Sequence, residues 1–160
     1  MSKAKVISQK TILHTPLFDV FEYELEKDGK KHIHKNVREK DVVFVLPYTS
    51  KNEIYLVSQY RYMHDKVLLE GVAGFVDDGE DILTSAKREL LEETGFVADT
   101  WRHLVTVERG GSVILGKLHI YIAKNLTQRE QHLDDFEEIK VVKLPLKDII
   151  EKIENGQIVT

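Results

Sequence analysis

Gly74-Phe75-Val76-Asp77-Asp78-Gly79-Glu80, followed after seven residues by Arg88-Glu89-Leu90-Leu91-Glu92-Glu93-Thr94-Gly95-Phe96, is the stretch on which the reading of this chain turns. Ile82 to Thr94 has helical periodicity: Leu83, Ala86 and Leu90 share one face, and Gly95 stands where a C-terminal cap belongs. Glu89, Glu92 and Glu93 fall at i, i+3 and i+4, so three carboxylates neighbour one another on that helix. Like charges so placed cost a bare helix roughly a few tenths of a kcal/mol per pair. An acid cluster against an apolar seam calls for a compensating cation. Oxygen ligands without His or Cys suit a hard ion such as Mg²⁺ or Mn²⁺. Glu80 offers a further carboxylate, and Arg88 is placed to orient an acid or meet a phosphate. Three glutamates on a helix are ordinarily a solvated face, so the surroundings have to decide.

Working outward, the chain has 160 residues, a length that suits one domain with its own core. Apolar residues make up 42% and charged residues 31%, the balance of a soluble globular protein. The formal net charge of −4 gives no global basic field for nucleic acid or an acidic membrane. There is no cysteine, hence neither a disulfide framework nor a thiolate ligand or nucleophile. The start, Met1-Ser2-Lys3-Ala4-Lys5-Val6, has no apolar signal core, and no stretch approaches the ~20 apolar residues of a membrane span. A cytoplasmic location is the expectation.

Strand patterns cover Val6 to Thr11 and Phe18 to Glu26, with an Asp28-Gly29 turn leading to a partner from about Lys31. The apolar run Val42 to Leu46 reads as a buried strand, as does Glu53 to Tyr60. Leu104 to Val107, Leu118 to Ala123 and Glu138 to Val142 read as later strands. Pro145 is expected at the first position of a last helix with Leu146, Ile149, Ile150 and Ile153 as its apolar stripe, closed by Gly156. The pattern is α+β.

The opening stretch resembles the Nudix box, Gly-x5-Glu-x7-Arg-Glu-U-x-Glu-Glu-x-Gly-U with U apolar. All nine defined positions match, Leu90 and Phe96 included. The resemblance implies an α/β/α sandwich with a central mixed sheet, in which the box forms a loop, a helix and a loop that hold metal. Carried onto this chain, it makes Glu89 and Glu93 the principal ligands of Mg²⁺, with Mn²⁺ as a substitute, Glu92 assisting and a main-chain carbonyl at Ala73 or Gly74 adding to them. It makes Arg88 and Glu80 supporting residues. The metals neutralise the diphosphate, activate water and stabilise charge on the transferring phosphorus.

A narrower similarity, over about Val42 to Ile158, is to ADP-ribose pyrophosphatases. Gln59-Tyr60-Arg61 looks like their Gln-Tyr-Arg strand end, Glu70-Gly71-Val72-Ala73-Gly74 like their Glu-x-Pro-Ala-Gly, and Glu137-Glu138-Ile139-Lys140-Val141 like their acidic loop and strand. The departures are Val72 in place of proline, Glu108-Arg109-Gly110-Gly111-Ser112 in place of Ser-Pro-Gly, and an end at Thr160. This similarity implies substrate contacts from Arg61, Glu70 and Gly74, and Glu137 as the residue that positions or deprotonates water. It also implies that residues 1–40 form an additional antiparallel sheet shared in a homodimer, ahead of a hydrolase domain of residues 41–160.

Simpler explanations stand beside several of these. Arg61 suits a surface ion pair as well as a phosphate. Tyr60 and Tyr62 suit packing better than base stacking. His32 and His34 alternate on a strand without a third ligand nearby. Arg109 with Gly110 and Gly111 is a plain turn as readily as a phosphate contact. Three functions follow: hydrolysis of a nucleoside diphosphate sugar, ADP-ribose foremost; a Nudix pyrophosphohydrolase for housecleaning nucleotides or RNA ends; or a domain that senses a nucleotide without hydrolysing it. The intact box disfavours the last.

Overall fold

The computed structural model describes residues 3–133 and 138–159. In chain order the elements are β1 (Lys5–His14), β2 (Phe18–Lys27), β3 (Lys30–Glu39), β4 (Val42–Pro47), β5 (Glu53–Arg61), β6 (Lys66–Glu70), β7 (Val72–Phe75), α1 (Ile82–Thr94), β8 (Phe96–Arg109), β9 (Ile114–Gln128), β10 (Ile139–Pro145) and α2 (Leu146–Glu154). They divide into two compact units, residues 1–42 with 106–118 and residues 43–105 with 119–160. The α+β arrangement, with a mixed sheet, a second antiparallel sheet and two helices, is the one the sequence leads to.

The first unit is built on the antiparallel run β1-β2-β3. Lys27 pairs with Lys30, and the two residues between them, Asp28 and Gly29, have φ of 51° and 74°. A tight hairpin needs that left-handed pair, and Asp-Gly tolerates it. β3 also pairs in parallel with β9 at Val37–Ile114 and Arg38–Leu115. Phe21 is buried under the Arg38 guanidinium, 5.0 Å from its ring centroid. Much else that is apolar here stays in water: Val6, Ile33 and Leu115 are each more than half exposed.

The second unit carries the hydrophobic core. In it β4 lies between β9 and β7, while β10, β5 and β6 form a three-stranded antiparallel sheet. Side chains alternate across a strand, and β5 uses both faces. Val57 joins a cluster with Val43, Val45, Val72, Ala86, Leu90 and Phe96. Ile54 and Leu56 point the other way and pack on Ile149 of α2. Helix α1 thus buries Ala86 and Leu90 against one side of this layer, and α2 covers the other.

Both helix boundaries have local causes. The Asp81 carboxylate caps α1, accepting from Leu83 N–H at 3.0 Å and Thr84 N–H at 3.3 Å. Gly95, at φ 69°, ends it and donates its N–H to Leu91 O. Pro145 differs from its expected place: it is the residue before the first helical position of α2, extended at φ −58° and ψ 140°. Having no N–H, it ends β10 without leaving a donor unmet. Ile150 and Ile153 of the expected stripe are exposed, so α2 is anchored through Ile149 and Leu146. The short strands β6 and β7 are not anticipated by the sequence pattern, and the segment at Leu104 to Val107 is the middle of the longer β8.

Leu90 is wholly buried at the centre of the cluster. Leu90→Ala is expected to cost about 3 kcal/mol of stability through lost burial and a residual cavity. Urea unfolding would measure it, and a change under about 1 kcal/mol would mean the site collapses freely.

Candidate active site

Helix α1 presents its acids to a cavity of about 470 Å³ lined by Arg61, Ala73, Gly74, Phe75, Asp77, Arg88, Glu89, Glu92, Glu93 and His132. The sequence-designated residues Glu89, Glu92, Glu93, Arg88, Ala73, Gly74 and Arg61 therefore come together at one place. Glu89 and Glu93 are buried, at 9% and 5% exposure, although they are carboxylates. Burial of such groups is tolerated only with compensating partners.

The Arg88 guanidinium supplies much of that compensation. Nη1 donates to Glu89 Oε1 at 2.6 Å and Glu92 Oε2 at 3.0 Å. Nη2 donates to Glu80 Oε2 at 3.1 Å and the Phe75 carbonyl at 3.0 Å. Burial disfavours the cation, but bonds to Glu80, Glu89 and Glu92 outweigh it and raise the Arg88 pKa. Glu80 is held below the usual carboxylate range by its bond to Arg88 and then by the Ser85 hydroxyl. Ser85 is itself fully buried and lies one turn into the helix, so Glu80 is tied to the helix start.

The strand β7 sits close beneath these acids. Ala73 N–H donates to Glu93 Oε2 at 3.2 Å. A Cβ on Gly74 would collide with the Glu89 carboxylate. The two glutamates are thus pressed against the Ala73–Gly74 backbone, in space that only glycine leaves open. The acids and the backbone they meet offer oxygen donors, the kind a hard cation takes. Among the described residues no three His, Asp or Glu side chains converge tightly enough to hold an ion by themselves.

Arg61 lies at the mouth of this cavity. Its Nε and Nη2 each approach Glu70 Oε2 at 2.8 Å, and Gln59 Nε2 donates to the same oxygen at 3.1 Å. Arg61 is thus an ion-pair partner and a cavity residue at once. Glu70 is buried behind it and orients the guanidinium. A second cavity, about 660 Å³, shares Arg61 and is bounded by Glu70, Tyr60, Tyr62, Met63 and His64. Tyr60 and Tyr62 are 57% and 81% exposed, so they do not pack in the core.

The remaining sequence-designated residues are placed as follows. Arg109 belongs to the first unit, where its Nη1 lies 3.1 Å from Glu39 Oε1. His32 and His34, also there, form an edge-on ring pair with centroids 4.6 Å apart. Glu137 lies outside the described residues. Sequence reasoning missed Asp77 as a lining residue, although it stands inside the quoted motif, and His132, which no motif marks.

The sequence profile of the NUDIX domain matches residues 38–159. The chain is 30% identical to the methanol dehydrogenase activator of Bacillus methanolicus, over 96% of this chain and 88% of that protein. It is 26% identical to the ADP-ribose pyrophosphatase of Bacillus subtilis (strain 168), over 96% and 85%. A crystal structure of an ADP compounds hydrolase superposes with a TM-score of 0.87 at 24% identity, covering 100% of this chain and 88% of that one.

Glu80 gives a pH prediction. Its folded pKa is depressed, so its contribution to stability is present above the unfolded value of about 4.3 and is lost as pH falls through the folded value. Glu80→Gln should lower the thermal midpoint at pH 7 and flatten its decline below about pH 4.3. Parallel midpoint-versus-pH curves for the two proteins would contradict this.

Proposed function

The chain belongs to the Nudix family of hydrolases, and we propose that it hydrolyses the diphosphate linkage of a nucleoside diphosphate sugar, ADP-ribose foremost, with Mg²⁺. The observation that carries the reading is the packing of Glu89 and Glu93 against the Ala73–Gly74 backbone, with Arg88 bridging Glu80, Glu89 and Glu92. ADP-ribose is favoured by the Gln59-Tyr60-Arg61 and Glu137 features and by likeness to the Bacillus subtilis enzyme.

Glu89 and Glu93 would hold the metal, with Glu92 assisting and the Ala73 carbonyl adding a main-chain oxygen; Mn²⁺ has the same ligand preference. Bound there, the ion would offset the charge of the diphosphate and make water a better nucleophile. Arg88 and Glu80 keep the acids in place. Arg61, steadied by Glu70, binds a phosphate oxygen, and Gly74, which lines the same cavity, is a substrate contact through its backbone. For Glu137 we retain the role of positioning or deprotonating the attacking water. Arg109, in its loop with Gly110 and Gly111, is proposed as a phosphate contact.

We extend the proposal to a homodimer, because Val6, Ile33 and Leu115 leave apolar surface open on the first unit. We also place the protein in the cytoplasm on its cysteine-free composition. No helix among the described residues is long and apolar enough to cross a membrane.

A panel of ADP-ribose, ADP-sugars, GDP-mannose, dinucleoside polyphosphates, nucleoside triphosphates and capped RNA, each with Mg²⁺, tests the substrate. The expected outcome is AMP and ribose 5-phosphate from ADP-ribose at the highest kcat/KM. Faster turnover of triphosphates or capped ends would sink the substrate assignment. Glu93→Gln removes a hard-cation ligand and should lower kcat by about 10² or more while the protein stays folded. Near-full turnover by this variant at limiting Mg²⁺ would remove Glu93 from the metal site.

A further inference from the structure

The last carbonyls of an α-helix have no partner within the helix. Here residues 128–132 supply the partners for α1. Arg129 N–H donates to Gly95 O at 2.6 Å and His132 N–H to Glu92 O at 3.3 Å. The Gln128 side-chain amide reaches Gly95 O at 3.2 Å, and that of Gln131 reaches Glu93 O. A Cβ on Gly95 would stand only 2.9 Å from Arg129 O, so the strap lies tight against the helix end. The strap is therefore registered on the same turn that carries Glu92 and Glu93. Its last bond fixes the backbone of His132 at Glu92, and the His132 side chain lines the acid cavity.

Charge decides what that side chain does. An ionised diphosphate offers only acceptor oxygens, yet Glu89, Glu92, Glu93 and Asp77 line the cavity as further acceptors. Donors must come from elsewhere. Arg88 is committed to three carboxylates and the Phe75 carbonyl. Arg61 is partly committed to Glu70. Among the described residues, His132 is the other cavity-lining side chain with an N–H to give.

Resting on the reading of this chain as a diphosphate hydrolase, we infer that His132 is a substrate-binding residue whose imidazole N–H donates to a phosphate oxygen of the diphosphate. The role needs no change of protonation, because a neutral imidazole carries one N–H. It also gives the strap a purpose beyond capping, since the bonds that satisfy α1 are the ones that set the donor over the acids.

The test uses the full chain with Mg²⁺ and the best substrate of the panel. His132→Ala keeps the backbone bond to Glu92 O, so the thermal midpoint should stay close to wild type. KM should rise about tenfold, the loss of one hydrogen bond to a charged group. His132→Gln, which keeps an N–H donor, should recover most of that loss. Calorimetry adds a readout apart from turnover: His132→Ala should weaken AMP binding and leave adenosine, which has no phosphate, as in wild type. An unchanged KM in His132→Ala overturns the inference, as does equal weakening of AMP and adenosine. If the panel favours triphosphates over sugar derivatives, the substrate reading fails by itself, and the His132 effect is then measured on the triphosphate.

Discussion

One guanidinium holds this site together. Glu89, Glu92 and Glu93 crowd a single helix surface, and two of them are buried. Without a cation the arrangement would repel itself in a medium that screens charge poorly. Arg88 answers by bonding Glu89 and Glu92 through one nitrogen and Glu80 and the Phe75 carbonyl through another. The planar fork of arginine can serve several oxygens in fixed directions, which a lysine ammonium could not reproduce. The loop of Phe75 and Glu80 and the helix of Glu89 and Glu92 are thereby one electrostatic unit. The helix thus keeps its acids assembled.

The rest of the second unit supports that unit mechanically. Ala86 and Leu90 plant α1 in the core, so the acid edge has a fixed height above β7. β7 approaches so closely that glycine is required at position 74. At the far end of the helix, residues 128–132 donate to the carbonyls of Glu92, Glu93 and Gly95. The helix is thus fixed at its start by Asp81, along its face by the core and at its end by the strap. A cluster of buried acids gains from a support that cannot drift.

What was legible in the sequence was local. The bounds of α1, its cap at Gly95 and the clustering of three acids all follow from spacing within a few turns, and the box motif is likewise a local string. The Asp28-Gly29 hairpin is legible for the same reason. What was hidden depends on distant pairings. β6 and β7 are too short for periodicity to mark, and Gly71, between them, breaks the run; they exist because β5 and β4 offer edges to pair with. The tie between Gln59, Arg61 and Glu70 joins residues on two strands, though the hairpin that brings them together has no strong turn signal in Tyr62-Met63-His64-Asp65. His132 lies far along the chain from the helix it meets, and only the folded register of the strap brings it to the cavity.

The division of labour between the two cavities is physical. The first is lined by carboxylates and the cationic groups that balance them. The second is bounded by two exposed tyrosines and a methionine, which offer flat and apolar surface, together with His64, Gln59, Glu70 and Glu138. Arg61 belongs to both, and Glu70 fixes its guanidinium between them. Under the proposed reading, the diphosphate would lie in the first and the less hydrated part of the substrate in the second. Changes in the β5–β6 turn would alter the second cavity without disturbing a single bond made by Arg88, so the charge machinery can stay constant while the preferred ligand changes.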